Sequence, residues 1–241
     1  MQKLRTPKII LFDYGGTLMD EAWDPDPFAG TRALMAYVIK NPRGLGAEEI
    51  GRFAQGLHGT VCAGVHALAR ELHEWQFTRL LYESLQIEFS LPVEALERAY
   101  YAAARVRLAP TPYIRELLAF LAGQDIRAGV VSNIMSSAGE LKRRIAEHFS
   151  LEQFDFIVAS SDYGVAKPDP LIFRLALAKA GLEAEDVWFC GDNIRCDVEG
   201  ARAAGIQPVW YCCDEQEEPP KCPHLHICDW RELIEILREL S

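Results

Sequence analysis

Apolar residues follow two rhythms along this chain. Ile9 to Phe12 is a short, unbroken apolar run that stops on Asp13 and is followed by Tyr14-Gly15-Gly16-Thr17-Leu18. A run of that length closed by glycines predicts a buried strand entering a tight turn. From Met19 to Phe28, Asp20, Glu21, Asp24 and Asp26 are interleaved with Pro25 and Pro27, which predicts an irregular connection. From Gly30 to Leu108 the spacing turns helical. Ala33-Leu34 and Tyr37-Val38 recur at helical intervals until Asn41-Pro42-Arg43-Gly44 stops them. A second helical stretch begins near Ala47-Glu48-Glu49 and runs, broken at glycines, towards Leu85. A third follows Ser90-Leu91-Pro92, with the serine as cap and the proline in the first turn, and continues to Leu108.

Beyond Thr111 strands return in alternation with helices. Thr111-Pro112 opens a helix ending near Gly123, and Ile126 to Val131 is a strand. Ser137 and Glu140 have capping-box spacing ahead of the next helix. Phe156 to Ala159 is a strand, Asp169-Pro170 starts a helix ending at Gly181, and Val187 to Cys190 is a strand. Asp197 to Ala204 is a short helix, Val209 to Cys212 another strand, and Leu225 with Ile227 marks a last strand before the final helix. This rhythm predicts an α/β fold, a doubly wound parallel sheet covered on both faces. The expected core domain is 1–19 with 109–241, interrupted by an all-helical insert, 20–108. Side chains at the carboxyl ends of such strands face the binding crevice, which puts Asp13 where chemistry is done.

Composition narrows the function. With 241 residues, 49% of them hydrophobic, the chain is long enough for a core and a smaller domain. A formal charge of −10 argues against a nucleic-acid partner, which needs a basic surface. No run approaches the length of a membrane helix. Met1 to Phe12 reads as a strand and not a secretory leader, so no membrane association and a cytoplasmic location are expected. The seven cysteines are scattered and read as reduced thiols. Cys212, Cys213, Cys222, His224, His226 and Cys228 are zinc-type ligands without the usual pair spacing, so the last strand is the preferred reading there. Glu215 to Pro220 reads as a solvated loop.

The candidate chemistry lies in four stretches taken in order. After Asp13-Tyr14-Gly15-Gly16-Thr17 come Val131-Ser132-Asn133, Ala166-Lys167-Pro168 and Gly191-Asp192-Asn193-Ile194-Arg195-Cys196-Asp197. Together they resemble the haloacid dehalogenase-like hydrolase superfamily, from about Lys8 to Val209. The resemblance implies a Rossmann-like core with a helical cap and a Mg²⁺-dependent phosphatase acting on a small phosphorylated metabolite. Asp13 would be a carboxylate nucleophile that forms an aspartyl-phosphate. Mg²⁺ would be held by Asp13, the Gly15 carbonyl and Asp192, with Asp197 holding a metal-bound water or Lys167. Lys167 and Ser132 would meet the phosphoryl oxygens, with Asn133, Gly16 and Thr17 completing the phosphate cradle.

One position departs from that pattern. Phosphatases of the superfamily read Asp-x-Asp-Gly-Thr, the second aspartate being the general acid/base; here that position is Gly15. The carbonyl survives and the proton donor does not. A positioned acid/base contributes about 10²–10⁴-fold, most where the leaving alkoxide is basic. Tyr14, Asp20 and Glu21 are near in sequence. On the insert, His66 and His73 would share a helix face beside Arg70, and His58, between Gly56 and Gly59, would sit at a bend facing the core as the preferred cap candidate. Phosphonoacetaldehyde hydrolases also lack the second aspartate but need a cap lysine, and Lys40, read at a helix end, does not match. The Gly191-Asp192 pair argues for a metal and against 2-haloacid dehalogenation. The alternative to an enzyme is a regulatory protein that keeps the phosphate and metal pocket with little or no catalysis.

Overall fold

The computed structural model describes residues 4–22, 26–104, 107–214 and 216–240, so Asp24, Pro25 and Glu215 of the expected loops lie outside the described residues. Six parallel strands form one sheet. They are β1 (Ile9–Phe12), β6 (Arg127–Ser132), β7 (Ile157–Ala159), β8 (Val187–Gly191), β9 (Gln207–Tyr211) and β10 (Leu225–Ile227), in the order β10-β9-β8-β1-β6-β7. The period-2 alternation of a strand decides which cluster each side chain joins. Ile10 and Phe12 turn to a cluster with α5 (Ile114–Gly123), α6 (Ala138–Ala146) and α9 (Trp230–Leu240); Ile9 and Leu11 turn to one built on α7 (Pro170–Ala180) and α8 (Gly200–Ala203). Both faces are covered, which is why β1 and β8 read as continuous apolar runs.

The chain leaves β1, builds β6 and β7 on one side, then returns to the other side as β8, β9 and β10. Strand order therefore reverses at β1, and the crevice beyond the carboxyl ends of β1, β6 and β8 is the topological switch point. The loop after β1 is braced from the far end of the chain. Trp230 is fully buried, stacks on Tyr211 and donates its indole N–H to Thr111 Oγ1 at 2.9 Å, and that hydroxyl donates to the Thr17 carbonyl at 2.7 Å.

Between β1 and β6 lies the insert. The chain runs out along β2 (Met19–Ala22) and back along β5 (Arg107–Pro110), which pair antiparallel, Glu21 opposite Leu108. The insert is helical, as expected, with one short ladder added. Its helices are α1 (Ala29–Leu34), α2 (Ala47–Ala67), α3 (Glu74–Ser84) and α4 (Val93–Ala104), and the ladder joins β3 (Val38–Lys40) to β4 (Glu88–Phe89).

Several local expectations change. The helix read through Val38 stops at Leu34, because Val38 is drawn into the β3–β4 ladder. Lys40 is thus on a strand, paired with Glu88 at 2.5 Å, and not at a helix end. Ser90 does not cap α4; its hydroxyl donates to the Tyr37 carbonyl. α2 runs straight through Gly56 and Gly59 with no bend at His58, since its remaining residues carry the helix past two tolerated glycines. His66 ends α2 whereas His73 caps α3, so the two do not share a helix face. Ser137 does cap α6, accepting from the Glu140 N–H at 3.2 Å. The return half of that box is replaced, because the Ser137 N–H donates to Glu97 of the insert at 2.7 Å while Glu140 binds Arg143 and Arg144.

Insert and sheet domain meet through polar contacts. Arg70 pairs with Asp169, Ser160 donates to Glu71, and the Glu74 N–H donates to the Met135 carbonyl. The Glu74 side chain is buried among the insert helices, accepting from the Tyr101 hydroxyl at 3.0 Å, and burial raises its carboxyl to about 7. A carboxyl raised on folding binds its proton more tightly in the native state, so its contribution is fully present below the unfolded pKa near 4.5 and is lost as pH rises through about 7. Urea unfolding followed across that window is expected to show stability declining for the native chain and a flatter profile for Glu74→Gln.

Candidate functional site

Each strand end delivers one part of the site. Phe12 is the last residue of β1, and the next backbone N–H, of Asp13, donates to the Cys190 carbonyl at 2.9 Å, holding Asp13 beside β8. The chain then turns sharply, with the Leu18 and Met19 N–H groups both donating to the Tyr14 carbonyl. Gly16 has φ +72°, and a Cβ there would lie 2.5 Å from Asp192 Oδ2, so both backbone conformation and space require glycine. Thr17, fully buried, turns its hydroxyl to Asp192 Oδ1 at 3.5 Å.

β6 ends on buried Ser132, which lines the same pocket as Asp13, Lys167 and Asp192. Asn133 lines the pocket as well and has a second attachment. Its amide grips the backbone of Lys167 at both ends, donating to the carbonyl at 2.8 Å and accepting from the N–H at 2.7 Å. It holds the lysine backbone while lining the same pocket.

After β8 the chain winds through one π-helical turn, Ile194–Glu199, before α8. That turn swings Asp197 back over the strand end. A Cβ on Gly191 would collide with the Asp197 side chain, so the glycine is what admits the carboxylate. The Asn193 N–H donates to Asp197 Oδ2 at 3.0 Å, and the Asn193 side chain caps the turn by accepting from the Cys196 N–H at 2.9 Å.

Lys167 sits at the centre, 3% exposed, with Nζ 2.6 Å from Asp13 Oδ1 and 2.7 Å from Asp197 Oδ1. Burial alone would lower its pKa; the Asp13 and Asp197 charges outweigh burial and hold it above the usual lysine range. Burial likewise pushes the Asp197 carboxyl up, against the pull of Lys167. The Asp192 carboxyl is raised by burial and by the Asp13 charge. Asp13, Asp192 and Asp197 each offer an oxygen within 4.8 Å of the others, so three carboxylates confront one ammonium. An all-oxygen donor set with surplus negative charge fits a hard divalent cation such as Mg²⁺.

Of the further candidates, Glu21 and Tyr14 line this pocket and Asp20 does not; it is exposed on the other side of β2. His58 is exposed on α2 and lines a separate cavity of the insert with Phe77 and Tyr82. His66 is paired with Glu71 and His73 with Asp162. Arg144, which sequence reasoning missed, comes from α6 to stand behind Glu21, a residue of the pocket. Its side chain is buried, held by Glu140 at 3.1 Å, stacked 4.3 Å from the Tyr101 ring and 3.9 Å from Glu21 Oε1. The Glu140–Arg144 spacing of one helical turn was its only signal. Near Cys212, β10 forms as read; His226 stacks on Trp210 and contacts the Cys212 carbonyl at 2.9 Å.

Residues 7–205 match the haloacid dehalogenase-like hydrolase family. A phosphoserine phosphatase of Thermus thermophilus is 30% identical over 226 residues, spanning 78% of this chain and 89% of that protein. A phosphoglycolate phosphatase of Aquifex aeolicus is 28% identical, spanning 83% and 82%. Among solved structures, a phosphatase of Thermococcus onnurineus superimposes with a TM-score of 0.63 at 19% identity, covering 95% and 97%. No helix among the described residues is long and apolar enough to cross a membrane.

Gly191→Ala is expected to push Asp197 off Lys167 and to lower stability in urea unfolding by about 1–3 kcal/mol. Gly56→Ala is the control: with open space at its Cβ on exposed α2, it is expected to add about 0.5–1 kcal/mol.

Proposed function

The chain belongs to the haloacid dehalogenase-like hydrolases, and on that footing we propose that it is a Mg²⁺-dependent phosphatase of a small phosphorylated metabolite, working through an aspartyl-phosphate on Asp13. The observation that carries this reading is the buried Lys167 ammonium clamped between Asp13 and Asp197, with the Asp192 carboxylate beside them. A carboxylate and a phosphate repel, so a carboxylate nucleophile is useful only where positive charge is fixed in advance.

Lys167 supplies part of that charge. Its contact with Asp13 Oδ1 orients the carboxylate and leaves the other oxygen to attack phosphorus in line with the leaving group. Asp197 holds Lys167 from behind, and Asn133 fixes its backbone, so the ammonium needs no reorganisation as charge moves. The Ser132 hydroxyl at the end of β6 donates to a phosphoryl oxygen. Asp13, the Gly15 carbonyl and Asp192 would hold Mg²⁺, with Asp197 bordering the site. When bound, that cation offsets the charge of the phosphoryl oxygens and of the carboxylates facing them. The phosphatases named above support this substrate class. Gly15 favours a second reading, a regulatory protein that binds phosphate and metal without turnover.

Phosphate release over substrates of graded leaving-group basicity tests the choice. Acyl and aryl phosphates are expected to turn over with Mg²⁺, to stop on chelation, and to stop in Asp13→Asn. Tight binding of a beryllium fluoride mimic with no release from any substrate would establish the second reading instead.

A further inference from the structure

We propose that Glu21 is the proton donor and acceptor of this site, acting from the ribbon beside β1 in place of the aspartate absent at position 15. The assignment rests on the phosphatase reading above. It adds a catalytic residue that the motif pattern does not contain.

The first support is position. β2 folds back across the strand end because the Gly16 N–H donates to the Met19 carbonyl, and β2 is then fixed by its pairing with β5. That geometry aims Glu21 into the pocket lined by Asp13, Ser132 and Lys167. A Cβ built on Gly15 would lie 3.9 Å from both Cδ and Oε2 of Glu21. An aspartate at 15 would extend its carboxyl from that same Cβ, so the two side chains, one from the turn and one from the ribbon, bring a carboxyl to the same region.

The second support is how the side chain is held. Glu21 Oε1 is buried with no hydrogen-bond partner among the described residues and lies 3.9 Å from the Arg144 guanidinium, itself tied to Glu140. A carboxyl with one oxygen sunk towards a fixed cation is oriented, not free to sweep solvent. Oε2 is the atom left near the turn. The other candidates serve less well. Tyr14 also lines the pocket, but its side chain is packed in the core cluster and burial raises its hydroxyl above the usual tyrosine range, Asp20 faces away, and His58 lines the insert's own cavity.

The step balances. Asp13 attacks phosphorus, the bond from phosphorus to the ester oxygen breaks, and the departing alkoxide takes the Glu21 proton to leave as an alcohol. Water then attacks the aspartyl-phosphate and gives its proton to the Glu21 carboxylate. Inorganic phosphate leaves, and Asp13 and protonated Glu21 are restored.

Rapid-quench measurement of phosphoenzyme formation, with saturating Mg²⁺ and either an aryl or an alkyl phosphate, tests this. Glu21→Gln, which keeps shape and removes the proton, is expected to slow phosphoenzyme formation from the alkyl phosphate by about 10²–10⁴-fold. The aryl phosphate, whose leaving group needs little protonation, is expected to lose less than about tenfold. Gly15→Asp added to Glu21→Gln is expected to restore the alkyl rate at least tenfold, whereas Gly15→Asp alone sets a second carboxyl against the first and brings no gain. Equal slowing on both substrates, no slowing, or no recovery in the double variant overturns the assignment while leaving the phosphatase reading standing. A native chain that forms no phosphoenzyme from the aryl phosphate overturns both.

Discussion

A buried ammonium is the constraint from which the site is built. An amino group as enclosed as that of Lys167 is tolerable only with opposite charge against it, because leaving such a charge unpaired costs several kcal/mol. Two carboxylates meet that need, one directly after β1 and one in the turn after β8, from segments 184 residues apart in the chain. Bringing them together dictates much of the local backbone: a bare Gly191 so that Asp197 can fold over the strand, a left-handed Gly16 beside Asp192, and an asparagine spent on holding the lysine's own peptide. Once the ammonium is shared, the three carboxylates leave the pocket with surplus negative charge.

The alternation of strands and helices was legible because the central strands β1 and β8 are apolar on both faces and turn residues punctuate the connections. Asp13, Ser132, Lys167, Asp192 and Asp197 were legible for a different reason. Asp13, Ser132 and Asp192 stand at or just after a strand end, and topology converts that place in sequence into a place in the crevice, whereas Lys167 and Asp197 are brought there by the segments that follow β7 and β8. What the pattern could not convey was pairing between distant short segments. Val38 has helical neighbours and yet pairs with Phe89, and the β2–β5 ribbon hides in a stretch that reads as proline-broken loop on one side and helix end on the other.

The side chains misjudged were those with a choice of partner. His58 looked like a bend residue because glycines flank it, but α2 runs on through both of them, since the cost of each glycine is borne by a long helix. Asn133 follows Ser132 into the pocket, and its grip on the Lys167 peptide is the part that the sequence did not show. Arg144 gave little warning, since its role depends on a ring from α4 and a carboxylate from β2 that meet it only in three dimensions. Gly15 is where the motif resemblance breaks, and Glu21 is the side chain that a Cβ there would meet, at 3.9 Å.

The relay from Trp230 through Thr111 to the Thr17 carbonyl has a consequence for how the molecule matures. Its indole belongs to a helix that a ribosome makes after every strand of the sheet, and after the last residue matched to the family at 205. A nascent chain can therefore hold all of its reactive side chains while the turn that carries the first of them still lacks its far buttress.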